Sequence, residues 1–239
     1  MIYVVGLGPG KKDQMTKRAL DTLDKCDVII GYKAYIDLIK DCYDDKKELV
    51  SSPMKGETSR CHMALERALN GDTVAIVSSG DPGVYGMAGI MLEIAQGKTE
   101  VEIVPGMTAA CTAAAILGAP LMHDFAIISL SDLLTPWELI EKRLTLAGEA
   151  DFIVCLYNPA SHGRPDHLRK AVEILLQSKS PETPAGWVKN AGRDGEEYGV
   201  TTLDKIADEP INMFTTVIIG NSTTKIQNGK MLTPRGYKI

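Results

Sequence analysis

The 239-residue sequence has no run of Lys or Arg longer than two residues, and its formal net charge is −5. The broad basic face that grips a phosphate backbone is missing, so nucleic acid is not an expected partner. Its five cysteines, Cys26, Cys42, Cys61, Cys111 and Cys155, are odd in number and include no C-x-x-C pair. They read as reduced, packed thiols, and no protein-held metal is assigned. His162 and His167, beside Gly163 and Pro165, read as loop residues rather than as a metal pair. The most apolar stretch, residues 107–122, is broken by Thr108, Thr112, Gly118 and Pro120. It falls short of the roughly 18–20 apolar residues that span a bilayer, so no membrane partner is expected. The N-terminus enters a strand directly, without the pattern of a secretory leader, and a cytoplasmic location is expected. Internal repeats and low-complexity segments are also missing.

What is present suffices for a substantial core, since 44% of residues are hydrophobic and 24% charged. The length suits two modest domains. Residues 2–5 form a β-branched and aromatic run ending at Gly6, after which Met15, Ala19, Leu23 and Cys26 recur at helical spacing. Strands are expected at 28–30, 73–77 and 101–104. A helix carrying Cys61, Ala64, Leu65, Ala68 and Leu69 should close near Gly71. Further helices are expected at 84–96 and from the alanine-rich segment to about residue 117. Repeated strand, loop and helix is the pattern of a parallel sheet with helices on its faces. Gly118-Ala119-Pro120 breaks that rhythm, which places the expected boundary between domains 1–118 and 119–239. Beyond it, Thr135 reads as a helix N-cap with Pro136 at the first helical position and Glu138 three residues after the cap. Strands at 152–156, 185–188 and 215–219 and a helix at 168–176 follow.

Three glycine-rich segments stand directly after expected strands: Gly6-Leu7-Gly8-Pro9-Gly10, Ser79-Gly80-Asp81-Pro82-Gly83 and Pro105-Gly106-Met107-Thr108-Ala109. The C-terminal ends of parallel strands are where open α/β sheets bind ligands. Each segment alone reads equally as a tight turn, but together they would form a continuous rim around a binding site. The first is not a dinucleotide fingerprint, because Pro9 breaks the required G-x-G-x-x-G spacing.

These segments, in this order, resemble the G-x-G-P-G, G-D-P and P-G-x-T/S-A elements of the tetrapyrrole methylase superfamily, and the likeness runs over essentially the whole chain. Within it, residues 123–137 (HDFAIISLSDLLTPW) resemble a segment of the enzymes that methylate carbon 17 of precorrin-3B or cobalt-factor III. So do Leu156-Tyr157-Asn158-Pro159, Asn190-Ala191-Gly192-Arg193, Ile219-Gly220-Asn221-Ser222 and Thr233-Pro234-Arg235-Gly236-Tyr237. The resemblance implies two α/β domains, a parallel sheet in the first and a mixed sheet in the second, with the active site in the cleft between them. It implies S-adenosylmethionine as methyl donor, S-adenosylhomocysteine as product, a tetrapyrrole substrate and a homodimer. The positions it assigns to the donor are Pro9, Ser79, Gly80, Asp81, Val84, Thr108, Ala109, Tyr157, Asn158, Asn190 and Ala191. The segment Ala160-Ser161-His162-Gly163-Arg164 departs from the more basic stretch of related proteins.

A sulfonium methyl is already activated, so such a site chiefly aligns two reactants and excludes water. The ring contraction implied by the resemblance needs polar groups to steer it. His123, Ser129, Ser131 and Asp132 are the candidates, against the alternatives that His123 lies in an interdomain turn and that Ser131 and Asp132 help begin a helix. Asp81 reads better as a residue that orders its own loop than as a base. A substrate carrying several carboxylates calls for local cations, and Lys55, Arg60, Arg164, Lys189, Arg193 and Arg235 stand near expected loops.

Overall fold

The computed structural model describes residues 1–43, 47–53, 56–161 and 163–238. They form two compact units, Met1–Ala109 and Ala110–Ile239. In the first unit, strands β1 (Ile2–Gly6), β2 (Val28–Tyr32), β3 (Glu48–Ser52), β4 (Val74–Ser78) and β5 (Val101–Val104) make one sheet in the order β3-β2-β4-β1-β5. Every pairing in it is parallel. The helices are α1 (Lys17–Lys25), α2 (Lys33–Ile39), α3 (Glu57–Leu69) and α4 (Ala88–Ala95).

The sheet is covered on both sides, which is why its central strands read as continuous apolar runs. On one face Ile2, Val4, Ile30 and Ile76 pack against Cys61, Ala64 and Leu65 of α3 and Met91 of α4. On the other, Val5, Ile29 and Val77 pack against Ala19 and Leu23 of α1 and Ile36 and Ile39 of α2. Three elements of this unit depart from the sequence expectation: helix α2, which no expected element covers, strand β3 and helix α4. Strand β3 is a partly polar edge strand, Glu-Leu-Val-Ser-Ser, with no apolar run to announce it. Helix α4 begins at Ala88 rather than at residue 84, because the chain before it is spent on turns, with Val84 N–H donating to Asp81 O at 3.2 Å and Ala88 N–H to Pro82 O at 2.9 Å.

The second unit holds α5 (Ala109–Leu117) from its second residue on and then β6 (Gly118–Ala119), followed by β7 (Phe125–Ser129), α6 (Trp137–Glu149), β8 (Ile153–Tyr157) and α7 (His167–Leu175). It ends with β9 (Pro184–Lys189), β10 (Glu197–Thr202), β11 (Thr215–Ile219), β12 (Lys225–Gln227) and β13 (Lys230–Leu232). The main sheet runs β10-β9-β11-β8-β7 and is mixed: β7 and β8 are parallel, and the other neighbours are antiparallel. Ala110, Ala113 and Leu117 of α5 pack on Ile153, Cys155, Val188 and Ile218. The opposite face, with Val154, Leu156, Val217 and Ile219, receives Ile140 and Leu144 of α6 and Ala171 and Leu175 of α7.

That packing moves the division between the units from the expected 118/119 to 109/110, because α5 belongs to the second core. The Gly118-Ala119 turn is instead β6, which pairs with β13 inside the second unit. Gly118 has φ +131°, and a Cβ there would meet the Met231 carbonyl oxygen at 2.5 Å. Helix α6 starts one residue later than Thr135 and Pro136 suggest. Pro136 is its N-cap, and no side chain caps it.

Candidate functional site

Strands β4, β1 and β5 are adjacent and parallel, so the three glycine-rich segments leave the sheet side by side. They are joined through their backbones. Gly8 N–H donates to Gly80 O at 3.0 Å, Gly80 N–H returns a bond to Gly8 O at 2.8 Å, and Leu7 N–H donates to Ser78 O at 2.8 Å. Gly106 completes the junction: a Cβ on it would lie 2.2 Å from Gly80 O and 2.6 Å from Gly6 O, so no residue with a side chain fits without moving the loops. The Asp81 carboxylate fastens two of them, accepting from Gly83 N–H at 2.8 Å and from Gly106 N–H at 3.1 Å. Asp81 thus orders its own loop, as its sequence context suggested, and the Pro105–Ala109 segment as well. Ser79, Gly80, Asp81, Val84, Thr108 and Ala109 are partly exposed along this rim, whereas Pro9 is buried beneath it.

In the second unit, β7 and β8 run together and both β8 and β9 run opposite to β11. The C-terminal ends of β7, β8 and β9 therefore share one edge, and there the structure gathers most of the other candidates. Ser129 and Tyr157 are register partners at that edge. Asn158 and Asn190 follow β8 and β9 with φ of 52° and 51°, the left-handed conformation that asparagine tolerates better than most residues. Asn158 Nδ2–H donates to Ser129 Oγ at 2.9 Å, and Ser131 N–H donates to the same oxygen at 3.2 Å. Asn190 Nδ2–H donates to Gly195 O at 3.2 Å, which folds the following loop back beside Ala191. The Tyr157 hydroxyl accepts from Ala110 N–H at 2.7 Å.

Asp132 joins this edge through partners far away in sequence. His167 Nε2–H donates to Asp132 Oδ2 at 3.0 Å, and Arg164 Nε lies 3.9 Å from Asp132 Oδ1. The hydrogen bond from His167 is the main reason that the Asp132 carboxyl stays below the usual carboxylate range, with the Arg164 charge adding to it. Arg164 also donates to Ser161 Oγ at 3.1 Å and to Leu130 O at 3.3 Å. Trp137 packs edge-on against the His167 ring with centroids 4.7 Å apart. His167 is the functional candidate that sequence reading passed over. Thirty-five residues separate it from Asp132, and no local pattern reports a pair of that kind.

His123 is not brought to this cluster. It precedes β7, whose length of four residue steps, about 13 Å, separates its near end from Ser129. There its Nε2–H donates to Pro234 O at 2.9 Å, and Arg235 donates to Met122 O at 3.0 Å, so both contacts tie down the C-terminal segment. The expected cations also divide. Arg60 is 3% exposed, donating to Ser52 Oγ at 2.8 Å and to Pro53 O and Met87 Sδ at 3.4 Å, so it is a buried strut and not a surface charge. Lys189 pairs with Glu197 at 2.8 Å. Arg193 N–H donates to Asn190 O at 2.8 Å. Lys55 and His162 lie outside the described residues. Among the described residues, no three His, Cys, Asp or Glu side chains converge as metal ligands would, and no helix is long and apolar enough to cross a membrane.

Residues 1–207 match the family model of the Tetrapyrrole (Corrin/Porphyrin) Methylases. A Salmonella typhimurium protein named as a probable cobalt-factor III C(17)-methyltransferase is 50% identical over 100% of both chains. A Priestia megaterium protein named cobalt-factor III methyltransferase is 46% identical over 99% of this chain, which spans 45% of that longer protein. The crystal structure of the methyltransferase CobJ superposes with a TM-score of 0.92 at 36% identity, covering 98% of this chain and 99% of its own. With matches of this extent, the chain belongs to the tetrapyrrole methylase family, within its group of cobalt-factor III and precorrin-3B C17-methyltransferases.

Proposed function

We propose that the protein transfers a methyl group from S-adenosylmethionine to carbon 17 of cobalt-factor III or precorrin-3B, with contraction of the ring, giving cobalt-precorrin-4 or precorrin-4 in cobalamin synthesis. The observation that carries this reading is the junction of Gly6, Gly80 and Gly106 at the C-terminal edge of a parallel sheet. Ser79, Thr108 and Ala109 beside it are small and half-buried. That suits a donor held mainly by main-chain groups. Pro9, Ser79, Gly80, Asp81, Val84, Thr108 and Ala109 of the first unit are the proposed donor residues. When bound, the donor supplies an electrophilic methyl on sulfonium.

The edge formed by Ser129, Ser131, Asp132 and Asn158 offers the steering groups that ring contraction requires. The full-length likeness to a probable cobalt-factor III C(17)-methyltransferase favours that position and the cobalt-containing substrate. A homodimer in the cytoplasm completes the proposal. The test is anaerobic incubation with S-adenosylmethionine carrying a labelled methyl group and cobalt-factor III, read by mass and NMR analysis of the macrocycle. The expected product is labelled at carbon 17 and has a contracted ring. Donor binding without label at carbon 17, with metal-free and cobalt-containing substrates alike, overturns the assignment.

A further inference from the structure

His167 opens α7 at the same sheet edge as Ser129 and Asn158, since α7 follows the loop that leaves the end of β8. Its position is fixed from two sides, by the Asp132 carboxylate 3.0 Å from Nε2 and by the edge-on Trp137 ring. A carboxylate only accepts hydrogen bonds, so in the neutral imidazole the proton sits on Nε2 and the lone pair on Nδ1. Asp132, held as an anion by His167 and Arg164, is a weak base. The acceptor that this arrangement leaves open is the Nδ1 lone pair of the imidazole that Asp132 orients. This is the division of labour in which a buried or braced carboxylate sets the tautomer of a histidine that then takes the proton.

Resting on the carbon-17 methyltransferase reading, we propose that His167 Nδ1 is the base that removes a proton from the macrocycle during methyl transfer, and that Asp132 is its positioning residue. Forming the carbon–carbon bond uses an electron pair of the macrocycle, while the carbon–sulfur bond breaks with its pair on sulfur. The macrocycle thereby gains a positive charge. Loss of a proton to Nδ1 restores it and leaves an imidazolium, whose charge the adjacent Asp132 carboxylate offsets.

The test combines a spectroscopic readout with single-turnover chemistry. Nitrogen-15 NMR of the wild-type imidazoles is expected to show His167 protonated at Nε2, and Asp132→Asn is expected to weaken that preference. In His167→Gln the amide can still donate to Asp132, but no basic nitrogen remains. This variant is expected to bind S-adenosylhomocysteine as the wild type does, while methyl incorporation into cobalt-factor III slows by about 10²–10⁴-fold. Asp132→Asn should slow it by a smaller factor. A wild-type rate in His167→Gln, a proton on Nδ1 in the free enzyme, or a rate loss that merely follows lost S-adenosylhomocysteine binding overturns the proposal. Should the wild type itself label no macrocycle, the methyltransferase reading falls and takes this one with it. If the wild type labels the substrate and His167→Gln does so equally, only the role of His167 falls.

Discussion

The phenolic oxygen of Tyr157, at the end of β8, accepts the backbone N–H of Ala110 at 2.7 Å in the first turn of α5. The first N–H groups of a helix have no partner within it, so a tyrosine here does the work usually given to a Ser or Asp cap. Tyr157 therefore fixes the helix that opens at Ala109, directly after Thr108. Tyr157→Phe is expected to cost about 1 kcal/mol, the typical worth of a cap, which lowers the midpoint of thermal unfolding by roughly 2–4 °C. It should raise the KM for S-adenosylmethionine with little change in kcat. An unchanged melting point together with a reduced kcat would assign the hydroxyl to chemistry instead.

Gly106 and Gly89 make a contrasting pair. A methyl on Gly106 would overlap Gly80 O and Gly6 O, whereas a methyl on Gly89, within α4, meets nothing within 4 Å. Overpacking of this kind typically costs about 1–3 kcal/mol, and here the strain falls on the three loops that form the rim. Gly106→Ala should weaken S-adenosylhomocysteine binding by about tenfold or more in calorimetry. Gly89→Ala should leave binding intact and stabilise the helix by up to about 1 kcal/mol. Equal binding by the two variants would remove the glycine junction from the donor site.

The sequence disclosed these loops because glycine and proline after apolar runs are local signals, and the apolar runs of β1 and β4 lie in the interior of the sheet. It disclosed less where pairing alone decides structure. The edge strands β3 and β10 carry Glu, Ser, Thr and Gly, and only their neighbours make them strands. The same holds within the site. The proximity of Asp132 to His167 depends on strand direction and on which helix follows which strand, and sequence spacing does not hold it, whereas the separation of His123 from Ser129 follows from the strand between them. The division at 109/110 was hidden for a related reason: the apolar residues of α5 fit either core by composition.

Arg60 tests the difference between a cation near a loop and a strut. Its guanidinium links the end of β3 to Met87 at the start of α4 and is 3% exposed. Arg60→Ala removes buried volume and orphans its hydrogen-bond partners, so a loss of about 2–4 kcal/mol is expected, near the values for large-to-small core changes. Chemical denaturation checks this. Arg235→Ala, at an exposed position, should change stability by no more than about 0.5 kcal/mol. If Arg60→Ala unfolds at the wild-type midpoint but loses substrate binding, Arg60 is a substrate cation after all.

Asp151 gives the acid limb of stability a specific origin. Burial raises its carboxyl and is the largest single influence, but hydrogen bonds from Ser222 N–H and Oγ–H and the Lys179 ammonium 3.4 Å away together outweigh it, and the net direction is down. A carboxylate held lower in the folded than in the unfolded chain contributes stability in full above its unfolded value of about 3.9, and loses it as pH falls through the folded value. Asp151→Asn should therefore be less stable than the wild type at pH 7, and the gap should close as the pH is lowered below about 4. Urea midpoints measured at pH 7, 5, 4 and 3 decide the matter. A gap that stays constant across that range would mean that Asp151 acts through the shape of its turn, where it sits at φ 55°, and not through its charge.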